Sequence, residues 1–296
     1  MKLFRHGPVG KERPGVRVEG KGDLDVGAFG EDFDEEFFAS RGTERLSAWM
    51  EAHPESCLPL AQPIRYGPPV KKPSKIVCVG LNYRDHAKES KMVLPPEPML
   101  FMKSTTAVCG PNDDIIIPRN SHKTDWEVEL AFVVGSKSSY VEEEDAVNHI
   151  AGYLLHNDYS EREFQIERSG QFVKGKSCDT FAPLGPWLVT PDEISDPQNL
   201  HLWLRVNGKI RQDSNTSNMV YKIPFLLSYI SRFMTLLPGD IVSTGTPTGV
   251  GMGIQPEPIY LKPGDRVELG IDGLGSASQR LVSWSPESKY QEASKH

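Results

Sequence analysis

Two glutamates, Glu127 and Glu129, open the segment Lys123-Thr-Asp-Trp-Glu-Val-Glu-Leu-Ala-Phe-Val-Val134. In a strand, residues i and i+2 share a face, so both carboxylates would stand on one side with their Cα atoms roughly 7 Å apart. The alternation Glu127-Val-Glu-Leu130 also suits an ordinary half-buried strand whose acids face water. Beyond it the alternation stops: Leu130-Ala-Phe-Val-Val134 reads as a strand covered on both faces. Two carboxylates at the mouth of such a strand repel each other and resist desolvation unless a cation lies between them. All-oxygen, acidic ligation suits Mg²⁺, Mn²⁺ or Ca²⁺, not zinc.

A third carboxylate stands at the end of a second apolar run, Ile150-Ala-Gly-Tyr-Leu-Leu-His-Asn-Asp158. Three carboxylates at the ends of two neighbouring buried strands could form an octahedral site with positions open to water and substrate. Asp158 could instead cap the helix expected over Ser160-Glu-Arg-Glu-Phe-Gln-Ile-Glu-Arg168. On that helix Asp158, Arg162 and Gln165 are spaced by four and three, so one face offers a carboxylate, a guanidinium and an amide to one pocket. A salt-bridged surface helix fits the same spacing.

His86 and Glu89 lie three apart in a short helix expected after the buried strand Lys75–Val79. A carboxylate that orients an imidazole makes a base able to take a proton from water, whereas an exposed pair of this kind is worth only a few tenths of a kcal/mol. The loop Phe172-Val-Lys-Gly-Lys-Ser-Cys-Asp-Thr-Phe181 places Lys174 and Lys176 among small residues, where an ammonium could meet a carboxylate substrate. Thr244-Gly-Thr-Pro-Thr-Gly-Val-Gly-Met-Gly253 has neither the Gly-Lys-Ser/Thr of a P-loop nor dinucleotide-type spacing. Its glycines still allow close backbone approach to an anion, with the Thr246 hydroxyl as a partner.

The elements that must position these groups form a sheet-dominated pattern. Residues 1–70 read as a small unit of short strands and one helix over Thr43–Met50, with Glu31–Glu36 as a solvated face. Pro68-Pro-Val-Lys-Lys-Pro73 reads as a stiff linker. A larger unit then runs over 74–284, with a hairpin at Asn207-Gly208, a core helix over Ile223–Met234 and closing strands at 261–270 and 275–282. From 286 onward the chain is polar and is expected to fray.

The 296 residues suffice for a large hydrophobic core, and the 38% hydrophobic and 25% charged content is that of a globular protein. A formal charge of −7 argues against a nucleic-acid surface. Neither a signal-peptide core nor a run approaching the ~20 apolar residues of a membrane span is present, so a cytoplasmic address and no membrane partner are expected. The four cysteines, at 57, 78, 109 and 178, have no C-x-x-C spacing and read as reduced thiols, with Cys78 in the core.

These motifs jointly resemble the fumarylacetoacetate hydrolase superfamily, in its bacterial branch. The residues that carry the resemblance are Gly80-Leu-Asn-Tyr-Arg-Asp-His86 with Glu89, Asp125-Trp-Glu-Val-Glu129, Asn157-Asp158 with Arg162 and Gln165, Lys176-Ser-Cys-Asp-Thr-Phe181, and Thr244-Gly-Thr-Pro-Thr-Gly249. The resemblance spans about 74–284 and implies an α+β fold, a mixed β-sandwich or β-roll catalytic domain behind a small N-terminal domain, usually a homodimer. It implies Mg²⁺ or Mn²⁺, with Ca²⁺ as an in-vitro substitute, held by Glu127, Glu129 and Asp158. His86 and Glu89 would activate water on a lid, Lys176 would stabilise developing charge, and Arg162, Gln165, Gly245 and Thr246 would contact substrate.

The implied reaction is hydrolysis of the C3–C4 bond of a 2,4-dioxo acid, either an acylpyruvate or a 2,4-diketo-3-deoxy sugar acid, to pyruvate and a carboxylic acid. Ureidoglycolate lysis, oxaloacetate decarboxylation and isomerisation of 2-hydroxyhepta-2,4-diene-1,7-dioate are alternatives on the same site. A metal- and keto-acid-binding homodimer without turnover is the non-enzymatic one.

Overall fold

The computed structural model describes residues 1–85 and 95–286. Its centre is the strand Val128–Val134, all seven residues of which are buried. Each fully buried Val, Leu or Phe side chain there contributes roughly 1.5–3 kcal/mol to the fold. Ile150–Asn157 and Ile241–Ser243 flank this strand, both antiparallel to it. Ile76–Gly80 then joins Ile241–Ser243 in parallel, and Met99–Lys103 closes that edge antiparallel to Ile76–Gly80.

On the other side, Leu188–Val189 connects Ile150–Asn157 to the N-terminal strand Lys2–His6. Arg13–Val18, Gly22–Asp25 and Leu58–Pro59 continue outward, so the N-terminal region extends the same eleven-stranded sheet. The proline-rich stretch is packed against this region: Val70 is buried, and the Lys71 N–H donates to the Phe33 carbonyl at 2.7 Å.

A second, five-stranded sheet runs in the order Lys209–Asn215, His201–Val206, Arg266–Ile271, Gly275–Ser283 and Ile115–Ile117. It packs on Val128–Val134 through His201–Val206 and Arg266–Ile271. The hairpin turns at Asn207 and Gly208, with φ of 51° and 76°, as the dipeptide predicts. Helix Ile223–Ser231 buries Ile223, Leu226, Leu227 and Ile230. The whole is the expected sheet-dominated α+β architecture, and no helix among the described residues is long and apolar enough to cross a membrane.

Three local expectations change. Ser160–Arg168 is not one helix: Ser160–Glu161 is a short strand paired with Thr124–Asp125, and a single π-helical turn comes next over Glu163–Glu167. The Lys174/Lys176 loop is a short helix, Phe172–Lys176. The acidic run at 31–36 is tied down rather than merely solvated, since Asp32 pairs with Arg5 and Asp34 caps the helix Glu35–Ala39 by accepting from the Phe37 N–H.

Candidate metal centre

The strand register places the carboxylates together. Val128 lies opposite Asn157 and Glu129 opposite His156, so Glu127 at one strand's entrance and Asp158 at the other's exit become neighbours. Backbone bonds pin them: the Asp158 N–H donates to the Glu127 carbonyl at 2.9 Å, and the Glu127 N–H donates to Asn157 Oδ1 at 2.9 Å. One carboxylate oxygen from each of Glu127, Glu129 and Asp158 lies within 4.8 Å of the others. All three residues are buried.

Cations ring two of these acids. Lys176 Nζ donates to Glu127 Oε2 and to Asp158 Oδ2, both at 2.7 Å. Lys103 Nζ donates to Asp158 Oδ1 and, at 3.1 Å, to the Tyr159 carbonyl. Arg162 reaches Glu127 Oε1 at 2.6 Å through Nη2, Asp125 Oδ2 at 2.9 Å through Nε and Gln165 Oε1 at 3.0 Å through Nη1. Burial alone would raise the Glu127 and Asp158 carboxyls, but these cations outweigh it and hold both below the usual carboxylate range. Burial alone would likewise lower Lys176, yet Asp158 and Glu127 reverse that and keep its ammonium charged.

Among the described residues Glu129 makes no ion pair. Its Oε2 accepts from Ser243 Oγ and, at 3.0 Å, from the Gly245 N–H. Burial, reinforced by Asp158 and Glu127, pushes its carboxyl well above the ordinary value. Four buried carboxylates, Asp125, Glu127, Glu129 and Asp158, thus face three buried cations, Lys103, Arg162 and Lys176. Glu129 is the acid left without an ion pair among the described residues, within reach of two further carboxylate oxygens, and a bound cation would favour its ionised form. An all-oxygen divalent cation fits that charge and that donor set.

The surrounding chain fixes the ring. Gly175, one residue before Lys176, has no room for a side chain, because a Cβ would lie 2.4 Å from the Glu161 carbonyl and 2.6 Å from Gln165 Cβ. Gly245 has a φ of 98°, a left-handed conformation that suits glycine. Thr246 donates to the Val128 carbonyl at 3.0 Å and accepts from Gln212 Nε2 at 2.8 Å. Both the Gly245 N–H and the Thr246 hydroxyl are therefore engaged with protein groups here. Asp125 accepts from the Gly251 and Met252 N–H groups at 2.6 and 2.9 Å, which ties the glycine-rich loop to Arg162. Phe101 covers the Lys176 ammonium, its ring centroid 5.0 Å from Nζ.

His86 and Glu89 lie outside the described residues. Three participants were not singled out from sequence, Lys103, His156 and Ser243, and a fourth, Asp125, stood in a quoted motif without a role. Lys103 carried a signal, being the last residue of an apolar strand in which Met99, Phe101 and Lys103 share a face. His156 Nδ1 lies 2.7 Å from Ser243 Oγ, its Nε2 has no hydrogen-bond partner among the described residues, and burial pushes its imidazole down to about 3.

With this geometry in hand, the comparisons with known proteins agree. Residues 75–282 match the sequence model of the fumarylacetoacetate (FAA) hydrolase C-terminal family. The chain belongs to the fumarylacetoacetate hydrolase family, a family of hydrolases and isomerases. A Burkholderia cenocepacia protein, named as a hydrolase without a stated substrate, is 50% identical over 281 residues, 94% of this chain and 98% of its own. The solved fumarylacetoacetate hydrolase of Exiguobacterium antarcticum is 35% identical with a TM-score of 0.84, covering 96% of this chain and all of that one (100%). Maleylpyruvate hydrolase from Sphingobium sp. SYK-6, solved with manganese(II) and pyruvate, is 32% identical with a TM-score of 0.79, again over 96% and 100% of the two chains.

Proposed function

We propose that this protein is a divalent-metal-dependent hydrolase that cleaves the C3–C4 bond of a 2,4-dioxo acid to give pyruvate and a carboxylic acid. The observation that carries the reading is the buried triad Glu127, Glu129 and Asp158, in which Glu129 makes no ion pair among the described residues and stands within reach of two further carboxylates. Mg²⁺ or Mn²⁺ held by these three residues would supply Lewis acidity toward the 1-carboxylate and 2-oxo oxygens of the substrate.

The chain's own residues do the rest. His86, oriented by Glu89, takes a proton from the water that attacks the 4-carbonyl, and returns one to C3 as the bond breaks. The Lys176 ammonium, kept charged by two carboxylates, stands where negative charge develops on the departing enolate. Arg162, just before the π-helical turn, and Gln165, within it, contact substrate, and Gly245 and Thr246 do so from the glycine-rich loop. The ring of Phe101 keeps water from the ammonium. Similarity to a maleylpyruvate hydrolase supports hydrolysis over decarboxylation.

The test is pyruvate release from acylpyruvates and from 2,4-diketo-3-deoxy sugar acids, with and without Mn²⁺. Metal-dependent release, lost in Glu127→Gln and reduced at least about 10²-fold in His86→Ala, is expected. If only double-bond migration in an unsaturated diacid such as 2-hydroxyhepta-2,4-diene-1,7-dioate is seen, with no C–C cleavage, the site is an isomerase's. If no substrate is turned over while oxalate and Mn²⁺ bind, the protein is a binder.

A further inference from the structure

Glu129 and His156 face each other across an antiparallel strand pair, and Ser243 reaches them from the strand on the far side of Glu129. The three residues form a buried chain: His156 Nδ1 to Ser243 Oγ at 2.7 Å, then Ser243 Oγ to Glu129 Oε2. A hydroxyl has one hydrogen, and a carboxylate that ligates a cation only accepts. The Ser243 hydrogen must therefore point to Glu129. Ser243 then accepts from His156, so Nδ1 is the ring nitrogen that bears hydrogen. Every bond in the chain points the same way, toward Glu129, and bonds so aligned strengthen one another.

We propose that His156 is a positioning residue which, through Ser243, orients the Glu129 carboxylate and sets how tightly the triad holds its divalent cation. The proposal rests on Glu129 being a ligand, as in the proposed function. With Ser243 and the Gly245 N–H both on Oε2, the other oxygen is the one Glu129 presents to the triad. Neither His156 nor Ser243 is among the residues proposed to contact substrate, so their effect belongs to metal affinity before it belongs to turnover. Hydrogen-bond partners behind a metal ligand, as Ser243 is to Glu129, are typically worth roughly 10–100-fold in affinity, and His156 acts one hydrogen bond further out by fixing where the Ser243 hydrogen points.

The experiment is Mn²⁺ titration of the full chain, read by the electron paramagnetic resonance signal of free Mn²⁺, beside thermal melting of each metal-free variant. Ser243→Ala and His156→Leu should each weaken Mn²⁺ about 10–100-fold, and the double variant should be little worse than either, because both cut one chain. His156→Asn, whose amide nitrogen falls where Nδ1 lies, should keep wild-type binding. His156→Gln, whose amide reaches the position of Nε2, should not. Wild-type affinity in His156→Leu and Ser243→Ala overturns the inference, as does equal loss in the Asn and Gln variants. Should one variant fail to melt cooperatively, the comparison among the others still decides. Equal Mn²⁺ binding by wild type and Glu129→Gln would instead overturn the metal-site reading on which the inference stands.

Discussion

Arg162 donates through Nε to Asp125 Oδ2 at 2.9 Å, and by that one bond the guanidinium that steadies Glu127 is also anchored to the glycine-rich loop. Both partners are buried, so removing the acid breaks one of the two buried carboxylate pairs of Arg162 and leaves its Nε without that acceptor. Asp125→Ala should cost about 3–5 kcal/mol of stability by denaturant unfolding. Asp125→Asn, which keeps an acceptor for Arg162, should cost less. Equal costs would mean that the carboxylate's charge plays no part.

Lys103 is a structural cation in the metal-free protein, since both its described bonds go to Asp158 and Tyr159. Lys103→Met should destabilise the metal-free chain by about 3–5 kcal/mol, because Asp158 loses one of its two ammonium partners. Saturating Mn²⁺ should recover part of that loss, as a bound cation stabilises only the folded state. Melting curves with and without Mn²⁺ test this. A loss unchanged by metal would separate Lys103 from the triad.

Gly175→Ala tests the seat of Lys176. The added methyl meets backbone and Cβ atoms at 2.4–2.7 Å, so the short helix must move and carry Lys176 with it. A displacement near 1 Å at such a position can cost about 10²-fold in kcat/KM. The expected result is a large fall in turnover with a modest fall in Tm. Unchanged turnover would mean that Lys176 does not need its present position.

Acid should expose His156. Its folded value, pushed to about 3 by burial, lies below the ordinary 6.5 of the unfolded chain. The unfolded state therefore binds this proton first, and the stability tied to the neutral ring is complete above pH 6.5 and lost as pH falls toward 3. Metal-free wild type should lose more stability than His156→Asn across that window, by an amount on the order of 4 kcal/mol. Glu129 acts in the opposite sense, its burial-raised carboxyl costing stability as pH rises above 4.5, but it is common to both proteins and cancels in the difference. Denaturant unfolding at several pH values makes the comparison, and parallel profiles would refute it.

The carboxylate triad was legible because its logic is local. A period of two puts Glu127 and Glu129 together, and an apolar run of strand length ending at Asp158 suggests a neighbouring strand. The stretch at 160–168 misled because tertiary bonds override helical spacing there. Glu161 accepts from Ser121, from Thr124 Oγ1 at 2.9 Å and from the Lys123 N–H at 3.1 Å, which holds Ser160–Glu161 extended against Thr124–Asp125. His156 and Ser243 escaped notice for a related reason. Each is an unremarkable polar residue in its own strand, and only the pairing of three strands brings them to one carboxylate.

The N-terminal strand has a further consequence for how the molecule is made. Lys2 pairs with Val189, and Cys78 pairs with Ser243, so the earliest-synthesised strands must wait for partners that leave the ribosome far later. Such long-range closure is slow, and until it occurs the waiting strands carry open edges able to pair with other chains. Metal cannot hurry this, because its ligands sit on strands that the later segments complete. Biosynthesis of this protein therefore favours conditions that keep nascent chains apart until the whole sequence is available.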